Sequence, residues 1–386
     1  MMQIDTDFTT DLLQRLVRIN SINPFLDTGG AGEREIASYL GDVLDRLGLR
    51  TETYEPEPGR VTVVGTRPGS GGGRSLMLNA HVDTVGVEGM VDPFSGRLDG
   101  GRIYGRGSYD MKGSMAACVA AAKALVDAGI ELRGDLLIAG VADEEYSSIG
   151  TADLIGHVHV DGAIVTEPTH LRTCLAHKGF AWLKVVTRGR AAHGSRFEEG
   201  IDANMRMGRV LRELDRLERK LREGPRHPLV GPPTLHAALM RGGTGLSTYS
   251  ESCELQIERR MIPGESNDQV ESEIQAILKR LRTEDPTFEA DFETIFVRGP
   301  FEVAADAAIV GAVDSATTDV LGQPAAHIGD PAWMDAALLQ AAGVDTVVFG
   351  PTGTGAHAAV EWVDVESVVQ VARVLARGAM EYCGVA

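Results

Sequence analysis

A histidine and an aspartate, His81 and Asp83, end the largely apolar stretch 77–83. In an extended chain, residues i and i+2 point to the same face, so these two side chains are expected to lie side by side. A carboxylate beside an imidazole fixes the tautomer of the ring and makes its other nitrogen a better metal ligand. The His-x-Asp pattern alone is common by chance, and a hydrogen-bonded surface pair is the alternative. The pair indicates a metal site only if further ligands accompany it.

Further side chains of the kind that bind metals follow along the chain. In chain order they are Asp110, Glu144, Glu145, Glu167 and His357. All but the first follow apolar stretches that we predict to be strands. Because open α/β sheets bind ligands just beyond the carboxyl ends of their strands, we expect these four residues and His81 on one rim of a sheet. The alternative is that the acids are solvated or pair with the nearby Arg102 and Arg106.

The elements that must position these residues are strands alternating with helices. Helical spacing of apolar residues predicts helices over 7–19, 33–47 and, rich in alanine, 112–128. Strands are predicted over 51–54, 60–66, 75–79, 135–141, 162–166 and 345–349. The last three are continuously apolar, which is typical of strands buried on both faces of a parallel sheet. The predicted fold class is therefore α/β, with a mixed sheet flanked by helices.

The pattern changes between about 179 and 293, where we predict an inserted domain. Strands are expected over 180–188, 234–240 and 254–261, and helices over 202–221 and 269–281. Strand, helix, two strands, helix, strand is a split βαβ pattern, which predicts a ferredoxin-like α+β domain. Helices return over 306–321, 333–342 and 365–382. We therefore assign 1–178 and 297–386 to a discontinuous first domain and 179–296 to the insertion.

Composition and charge restrict the class of protein. The chain has 386 residues, 43% of them hydrophobic, which is enough for two domains with substantial cores. Its formal charge of −18 argues against nucleic acid and anionic membranes as partners, because binding to these requires a basic surface. We find neither a signal sequence nor a membrane-spanning stretch. The four cysteines are scattered without metal-binding or disulfide-like spacing, and we expect a cytoplasmic protein.

Seven short segments, spread along the chain, have the motifs of one known family. They are 80–85 (AHVDTV), 104–113 (YGRGSYDMKG), 142–145 (ADEE), 165–168 (VTEP), 192–195 (AHGS), 259–264 (RRMIPG) and 350–357 (GPTGTGAH). By these the chain resembles the M20 family of metallopeptidases and amidohydrolases, which includes acetylornithine deacetylases, succinyl-diaminopimelate desuccinylases, aminoacylases and glutamate carboxypeptidases. The resemblance implies a catalytic domain with a dinuclear metal site. It also implies that the inserted domain is a lid and dimerisation domain.

The resemblance implies two divalent metal ions held close together. The implied ligands are His81 and Glu167 for one ion, Glu145 and His357 for the other, and Asp110 as a bridge. Asp83 would orient His81. Three carboxylates and one hydroxide would balance the four positive charges of the two ions. Nitrogen and oxygen ligands without thiolate suit Zn²⁺, which we expect, and also Co²⁺ or Mn²⁺. As in relatives, we also expect a cis peptide bond after Asp110.

Glu144 is the acid that this assignment leaves without a metal. A metal-bound water has its pKa lowered to about 7, and an adjacent carboxylate can take its proton and return it to the departing amine. We therefore predict that Glu144 is the general base of an amide hydrolysis that yields a carboxylate and a free amine. The alternative is that Glu144 caps a helix that begins near Ser147.

Two residues of the insertion also match family positions. The resemblance implies that His193 stabilises the oxyanion and that Arg260 binds the substrate's free carboxylate. The alternatives are an exposed loop histidine and a surface arginine paired with Glu258 or Glu251. The resemblance further implies a homodimer formed through the inserted domain.

Three functions remain in view at this stage. The first is hydrolysis of N-acyl amino acids by an enzyme like acetylornithine deacetylase, and the second is a dipeptidase or carboxypeptidase activity on small peptides. The third is a catalytically silent binding protein, which predicts loss of a ligand or of the base, and none is missing here. Segments 247–251 and 330–335 depart from the family pattern where the small-molecule substrate is expected. The exact substrate therefore cannot be transferred from relatives.

Overall fold

The computed structural model describes residues 3–386, which divide into two compact units. The larger unit comprises the chain up to Leu175, Val303–Ile328 and Met334–Ala386, and the smaller unit comprises Ala176–Glu302 and Gly329–Trp333. The smaller unit thus contains the predicted insertion 179–296 and extends beyond it at both ends.

Three short segments belong to a different unit from the one assigned by sequence. We placed residues 176–178, 297–302 and 329–333 in the first domain, but they are part of the smaller unit. Backbone N–H of Lys178 donates to the carbonyl of Asp330 at 3.3 Å, and Trp333 Nε1 donates to the carbonyl of Gly299 at 3.0 Å. These contacts between residues distant in sequence explain the difference.

Nine α-helices and seventeen strands lie within residues 3–386. The helices are α1 (Thr6–Arg18), α2 (Arg34–Arg46), α3 (Gly113–Asp127), α4 (Ile149–Leu154), α5 (Ala203–Glu223), α6 (Asn267–Glu284), α7 (Ala308–Leu321), α8 (Ala336–Ala341) and α9 (Val365–Cys383). Ser108–Lys112 forms a turn before α3, in which Asp110 and Met111 have non-helical backbone angles. The helix predicted over 333–342 is shorter than expected, because α8 begins only at Ala336. None of the helices in this range is both long and apolar enough to cross a membrane.

The strands include all those predicted and several that were not. They are β1 (Arg50–Glu57), β2 (Arg60–Arg67), β3 (Leu76–His81), β4 (Arg97–Asp99), β5 (Arg102–Tyr104), β6 (Leu136–Val141), β7 (Gly162–Val165), β8 (Thr173–His177), β9 (Gly179–Arg188), β10 (Thr234–Gly242), β11 (Ser252–Met261), β12 (Glu289–Arg298), β13 (Phe301–Glu302), β14 (His327–Asp330), β15 (Asp345–Val348), β16 (Gly353–Thr354) and β17 (Trp362–Asp364).

A mixed sheet forms the centre of the larger unit, as predicted. Its strands lie in the order β1-β2-β6-β3-β7-β15-β8. The four strands β6, β3, β7 and β15 are parallel neighbours, whereas β1, β2 and β8 pair antiparallel. Because parallel strands end at the same edge, the residues that follow β3, β6, β7 and β15 come together there.

Complete burial of the central strands follows from their apolar sequences. Every residue of β3, β6 and β7 is buried. Helix α3 packs against β3 and α9, and its many alanines allow close approach of the backbones. The strands that carry the candidate ligands are therefore held in a rigid core.

A second, small sheet in the larger unit has the order β16-β17-β5-β4 and was not predicted. Its strands have two or three residues each, which is too short for an alternating pattern to be recognised in the sequence. In this sheet β17 pairs antiparallel with β5, so that Trp362 lies opposite Tyr104.

The smaller unit has the predicted split βαβ order, β9-α5-β10-β11-α6-β12. These strands form an antiparallel sheet in the spatial order β10-β11-β9-β12. The apolar faces of α5 and α6 pack on the sheet around residues such as Leu183, Met207 and Ile274. Asp202 and Ser266 cap the two helices with side-chain hydrogen bonds to the first turn.

Candidate metal centre

The parallel strands deliver the predicted residues to one edge of the central sheet. His81 is the last residue of β3, Glu144 and Glu145 follow the end of β6, and Glu167 follows the end of β7. His357 lies in the loop between β16 and β17. All five residues belong to the larger unit, together with Asp110.

His81 presents one ring nitrogen to two acids. Its Nε2 lies 3.1 Å from Asp110 Oδ1 and 3.6 Å from Glu167 Oε1. Its Nδ1 faces Asp83, 3.1 Å from the backbone carbonyl and 3.5 Å from the carboxylate. With Nδ1–H donating to that carbonyl, Nε2 is the unprotonated nitrogen that can bind a metal.

Asp83 also organises the segment that carries both glutamates. Its carboxylate accepts the backbone N–H groups of Glu144 at 3.0 Å and Glu145 at 3.2 Å, as well as Asn23 Nδ2 at 2.9 Å. Asn23 Nδ2 is also 2.9 Å from Asp143 Oδ1. This second role of Asp83 could not be predicted from the sequence, because hydrogen bonds to backbone N–H groups leave no pattern of residue types.

Asp110 lies between the two histidines. Its Oδ1 is 3.1 Å from His81 Nε2, and its Oδ2 is 3.5 Å from His357 Nε2. His357 Nε2 is also 2.9 Å from Glu145 Oε2. A carboxylate that directs one oxygen to each histidine has the arrangement needed to bridge two metal ions.

The turn that presents Asp110 requires glycine at its start. Gly107 has φ of 79°, and a Cβ atom there would lie 2.7 Å from Thr84 Cγ2. A side chain at this position would therefore meet both backbone strain and a steric clash. The Asp110–Met111 peptide bond is cis, which confirms the prediction made from relatives.

Burial and mutual repulsion shift the pKa values of the clustered acids. Burial raises the pKa of Glu145 to about 7, and the nearby charge of Asp110 adds to the shift. Burial also raises the pKa values of Glu144 and Glu167 well above the usual range. Hydrogen bonds to Asp110 and Glu145 raise the pKa of His357 to about 10. The protein's own groups thus compensate the negative charge of this cluster only in part.

These donors fit divalent cations. Three of them, His81, Glu144 and Glu167, place ligand atoms within 4.8 Å of one another, and so do His81, Asp110 and Glu145. Glu145 Oε1 is buried without a hydrogen-bond partner in the described part of the chain. Imidazole nitrogen and carboxylate oxygen are common ligands of Zn²⁺ and similar ions, and such an ion would satisfy this oxygen.

The structure does not support the alternative in which Glu144 caps a helix. Helix α4 begins at Ile149, whose N–H is 3.4 Å from Asp143 Oδ2. Asp143 also accepts a hydrogen bond from the Ser147 hydroxyl at 2.5 Å. The acid that contacts the start of α4 is therefore Asp143. The Glu144 side chain does not cap this helix and is available for another role.

His193 and Arg260 belong to the smaller unit. His193 is exposed in a loop, where its Nδ1 is 2.8 Å from Ser195 Oγ. Arg260 donates from Nε to Glu258 Oε1 at 2.7 Å, and its guanidinium lies 5.4 Å from the centre of the Phe180 ring. Glu258 is one of the two partners, Glu258 and Glu251, that the sequence offered for the alternative of a paired surface arginine.

Sequence reasoning missed one buried acid beside the metal centre. Glu361 is 1% exposed, and its carboxylate accepts the backbone N–H groups of Tyr109 at 2.9 Å and Asp110 at 3.1 Å. Its only sequence signal is an isolated charge between Val360 and Trp362, shortly after a candidate ligand.

Comparisons with known proteins agree with this geometry. The family described as "Peptidase family M20/M25/M40" matches residues 77–381. An acetylornithine deacetylase from Myxococcus xanthus is 30% identical over 84% of this chain and 85% of its own. An N-formyl-4-amino-5-aminomethyl-2-methylpyrimidine deformylase from Bacillus subtilis is 28% identical over 90% of this chain and 89% of its own.

Solved structures show the same fold. An aminopeptidase, PepT, from Bacillus cereus has a TM-score of 0.79 at 18% identity, covering 98% of this chain and 99% of its own. A metallo-carboxypeptidase from Sulfolobus solfataricus has the same TM-score and identity, with 98% and 99% covered.

Proposed function

The chain belongs to peptidase family M20/M25/M40 and is a metal-dependent hydrolase of amides, and from this premise we propose that it removes the acyl group from N-acyl amino acids. The observation that carries the proposal is the position of Asp110, with one carboxylate oxygen directed to His81 and the other to His357. Around it lie the remaining ligands expected for a dinuclear site.

The proposed ligands are His81 and Glu167 for one divalent ion, Glu145 and His357 for the other, and Asp110 for both. Zn²⁺ is the proposed metal, with Co²⁺ and Mn²⁺ as alternatives that suit the same donors. When bound, the ions activate a water molecule and polarise the amide carbonyl.

Glu144 performs the proton transfers in this proposal. Its carboxylate takes a proton from the attacking water as the new C–O bond forms at the acyl carbon. It then gives that proton to the nitrogen as the C–N bond breaks, so that a carboxylate and a free amine are released. The hydrogen bond from Glu144 N–H to Asp83 holds the backbone of the base in place.

The relatives favour an acyl group over a peptide as the part removed. Both sequence relatives named above are, by their names, enzymes that take a small acyl group from nitrogen. The second candidate function is a dipeptidase or carboxypeptidase activity, which is favoured by the names of the structural neighbours, although their identity is only 18%.

A substrate panel tests the proposal. The purified protein, supplied with Zn²⁺, Co²⁺ or Mn²⁺, is assayed for release of free amine from N-acetyl amino acids, N-formyl amino acids and dipeptides. We expect turnover of the N-acyl amino acids. Turnover of dipeptides alone would replace the proposal with the peptidase function, and the absence of any turnover with all three metals would contradict both.

The smaller unit is proposed to be a lid that binds substrate through His193 and Arg260. We expect Arg260→Ala to raise KM about 10- to 100-fold, because a charged hydrogen bond to the substrate carboxylate is lost. We expect His193→Ala to lower kcat about 10²- to 10³-fold, because contact with an oxyanion strengthens in the transition state.

Steady-state kinetics on both variants measure this difference. Arg188→Ala is the control, since Arg188 is an exposed arginine of β9 that pairs with Asp291. Normal turnover by His193→Ala would show that the histidine is an ordinary loop residue. An unchanged KM in Arg260→Ala would leave this arginine with its Glu258 pairing only.

A homodimer formed through the smaller unit is also proposed. Strand β10 lies at an edge of the four-stranded sheet and exposes Leu239 and Met240 by 53% and 58%. Unpaired edge strands with apolar side chains favour pairing with another chain. We expect the double variant Leu239→Lys, Met240→Lys to have half the mass of the wild type in light scattering. Val91→Lys, an exposed site on the larger unit, is the control, and a dimeric double variant would contradict this interface.

A cytoplasmic location is proposed as well. The four cysteines are buried, and none forms a disulfide among residues 3–386. Thiols that stay reduced are typical of proteins in a reducing compartment.

A further inference from the structure

Glu361 connects two segments that carry proposed metal ligands. It follows His357 by four residues and lies directly before β17. Its carboxylate is buried and faces the start of the turn Ser108–Lys112, which presents Asp110. Tyr109 N–H and Asp110 N–H donate to Glu361 Oε1, at 2.9 and 3.1 Å.

The second carboxylate oxygen is also fully used. Glu361 Oε2 accepts hydrogen bonds from Arg106 Nη1 at 2.6 Å and from Gly107 N–H at 3.1 Å. Four donors therefore surround one buried carboxylate, which matches its capacity as an acceptor. Because every lone-pair direction is occupied by a donor from residues 106–110, the position of that segment is tightly determined.

Arg106 extends the connection to the loop after His357. The arginine is 2% exposed, and besides Glu361 it donates from Nη2 to the carbonyl of Ala358 at 3.1 Å. It also donates from Nε to the carbonyl of Gly86 at 2.9 Å. The backbone adds a further link, since Gly105 N–H donates to the Glu361 carbonyl at 3.1 Å.

We propose that Glu361 is a positioning residue that holds Asp110 and His357 at the separation needed for both to bind the same divalent ion. This inference rests on the proposed function, because that function assigns both residues as ligands. Glu361 bonds the backbone N–H of one ligand residue, and its own chain segment carries the other. Removal of a group that holds metal ligands in this way typically lowers the metal affinity about 10- to 100-fold.

Glu361→Gln is the decisive variant, because it keeps the size of the side chain and replaces one acceptor oxygen with an NH₂ group. That group cannot accept hydrogen bonds, so either the Tyr109 and Asp110 N–H groups or the Arg106 and Gly107 donors lose their partner. We expect Co²⁺ to bind about 10- to 100-fold more weakly at one of its sites than in the wild type.

The measurement is a titration of the metal-free proteins with Co²⁺, followed by the absorption spectrum and by competition with a chelator. Glu366→Gln is the matched control, since Glu366 lies in the same C-terminal region, is exposed and pairs only loosely with Arg373 at 3.4 Å. This control is expected to bind Co²⁺ as the wild type does.

A second variant covers the case in which Glu361→Gln does not fold. Arg106→Lys keeps a positive charge beside Glu361 but cannot reach both the Gly86 and the Ala358 carbonyls, and we expect it to weaken Co²⁺ binding in the same direction. Circular dichroism and the Tm of the metal-free proteins report on folding. Unchanged Co²⁺ affinity in a folded variant, even with a lower Tm, would assign the contact to stability alone and overturn the inference.

The outcomes separate this inference from the function on which it rests. If the wild type itself binds no divalent ion, the proposed function fails. If the wild type binds Co²⁺ and the folded variants bind it equally well, only the role of Glu361 fails. Loss of folding in both variants would likewise show a structural role and overturn the inference.

Discussion

Glu144→Gln is expected to remove amide hydrolysis while the protein keeps its metal ions. The amide is nearly the same size as the carboxylate but cannot take a proton from water. Since general base and acid catalysis contributes about 10²- to 10⁴-fold, we expect kcat to fall by at least about 10²-fold. The backbone of Glu144 should stay in place, because its N–H is bound to Asp83 and not to its own side chain.

Metal content decides between two roles for Glu144. Its carboxylate lies close enough to His81 and Glu167 to be a ligand as well as a base. Elemental analysis of the purified variant should therefore accompany the assay of amine release. Metal content equal to that of the wild type supports the role of Glu144 as general base. Loss of metal together with activity would show that Glu144 is a metal ligand. Glu88→Gln, an exposed acid of the same unit, is the control for the change in charge.

Asp110→Asn is expected to lose metal from both positions. Each carboxylate oxygen of Asp110 is directed to a different histidine, and an asparagine offers one neutral oxygen in their place. His357→Ala should lose mainly one of the two ions, because His357 is a proposed ligand of only that ion. Its Nε2 faces Asp110 Oδ2 and Glu145 Oε2. Hydrolysis should be lost in both variants, but their metal content should differ.

The number of ions per chain, measured after dialysis against a buffer that contains the metal, tests this difference between the two variants. His157→Ala is the control, since His157 is a half-exposed histidine that pairs with Asp153. Loss of the same single ion in both variants would contradict the bridge. Retention of both ions in Asp110→Asn would show that Asp110 is not a required metal ligand.

The sequence by itself determined the central architecture of the protein. Continuous apolar runs such as 135–141 predict strands buried in a parallel sheet, and the structure has every residue of β6 buried. Parallel strands must end at a common edge, so His81, Glu145 and Glu167 could be expected to meet from their places after three such strands. Local patterns of residues and the geometry of a parallel sheet are sufficient for this expectation.

Contacts between distant parts of the chain could not be derived in this way. Glu361 binds the backbone N–H of Asp110 across 251 positions of the sequence, and Asn23 reaches Asp83 across 60. The short strands β5 and β17, which bring residues 102–104 beside 362–364, have no recognisable period of their own.

Only the tertiary structure decided which buried polar groups hold the proposed ligands in place. A carboxylate that accepts backbone N–H groups is chosen by its position and not by the residue types around it, because every non-proline residue offers the same donor. Residue types and spacing thus predicted the chemistry of the site, and the packing of distant segments fixed the groups that support it.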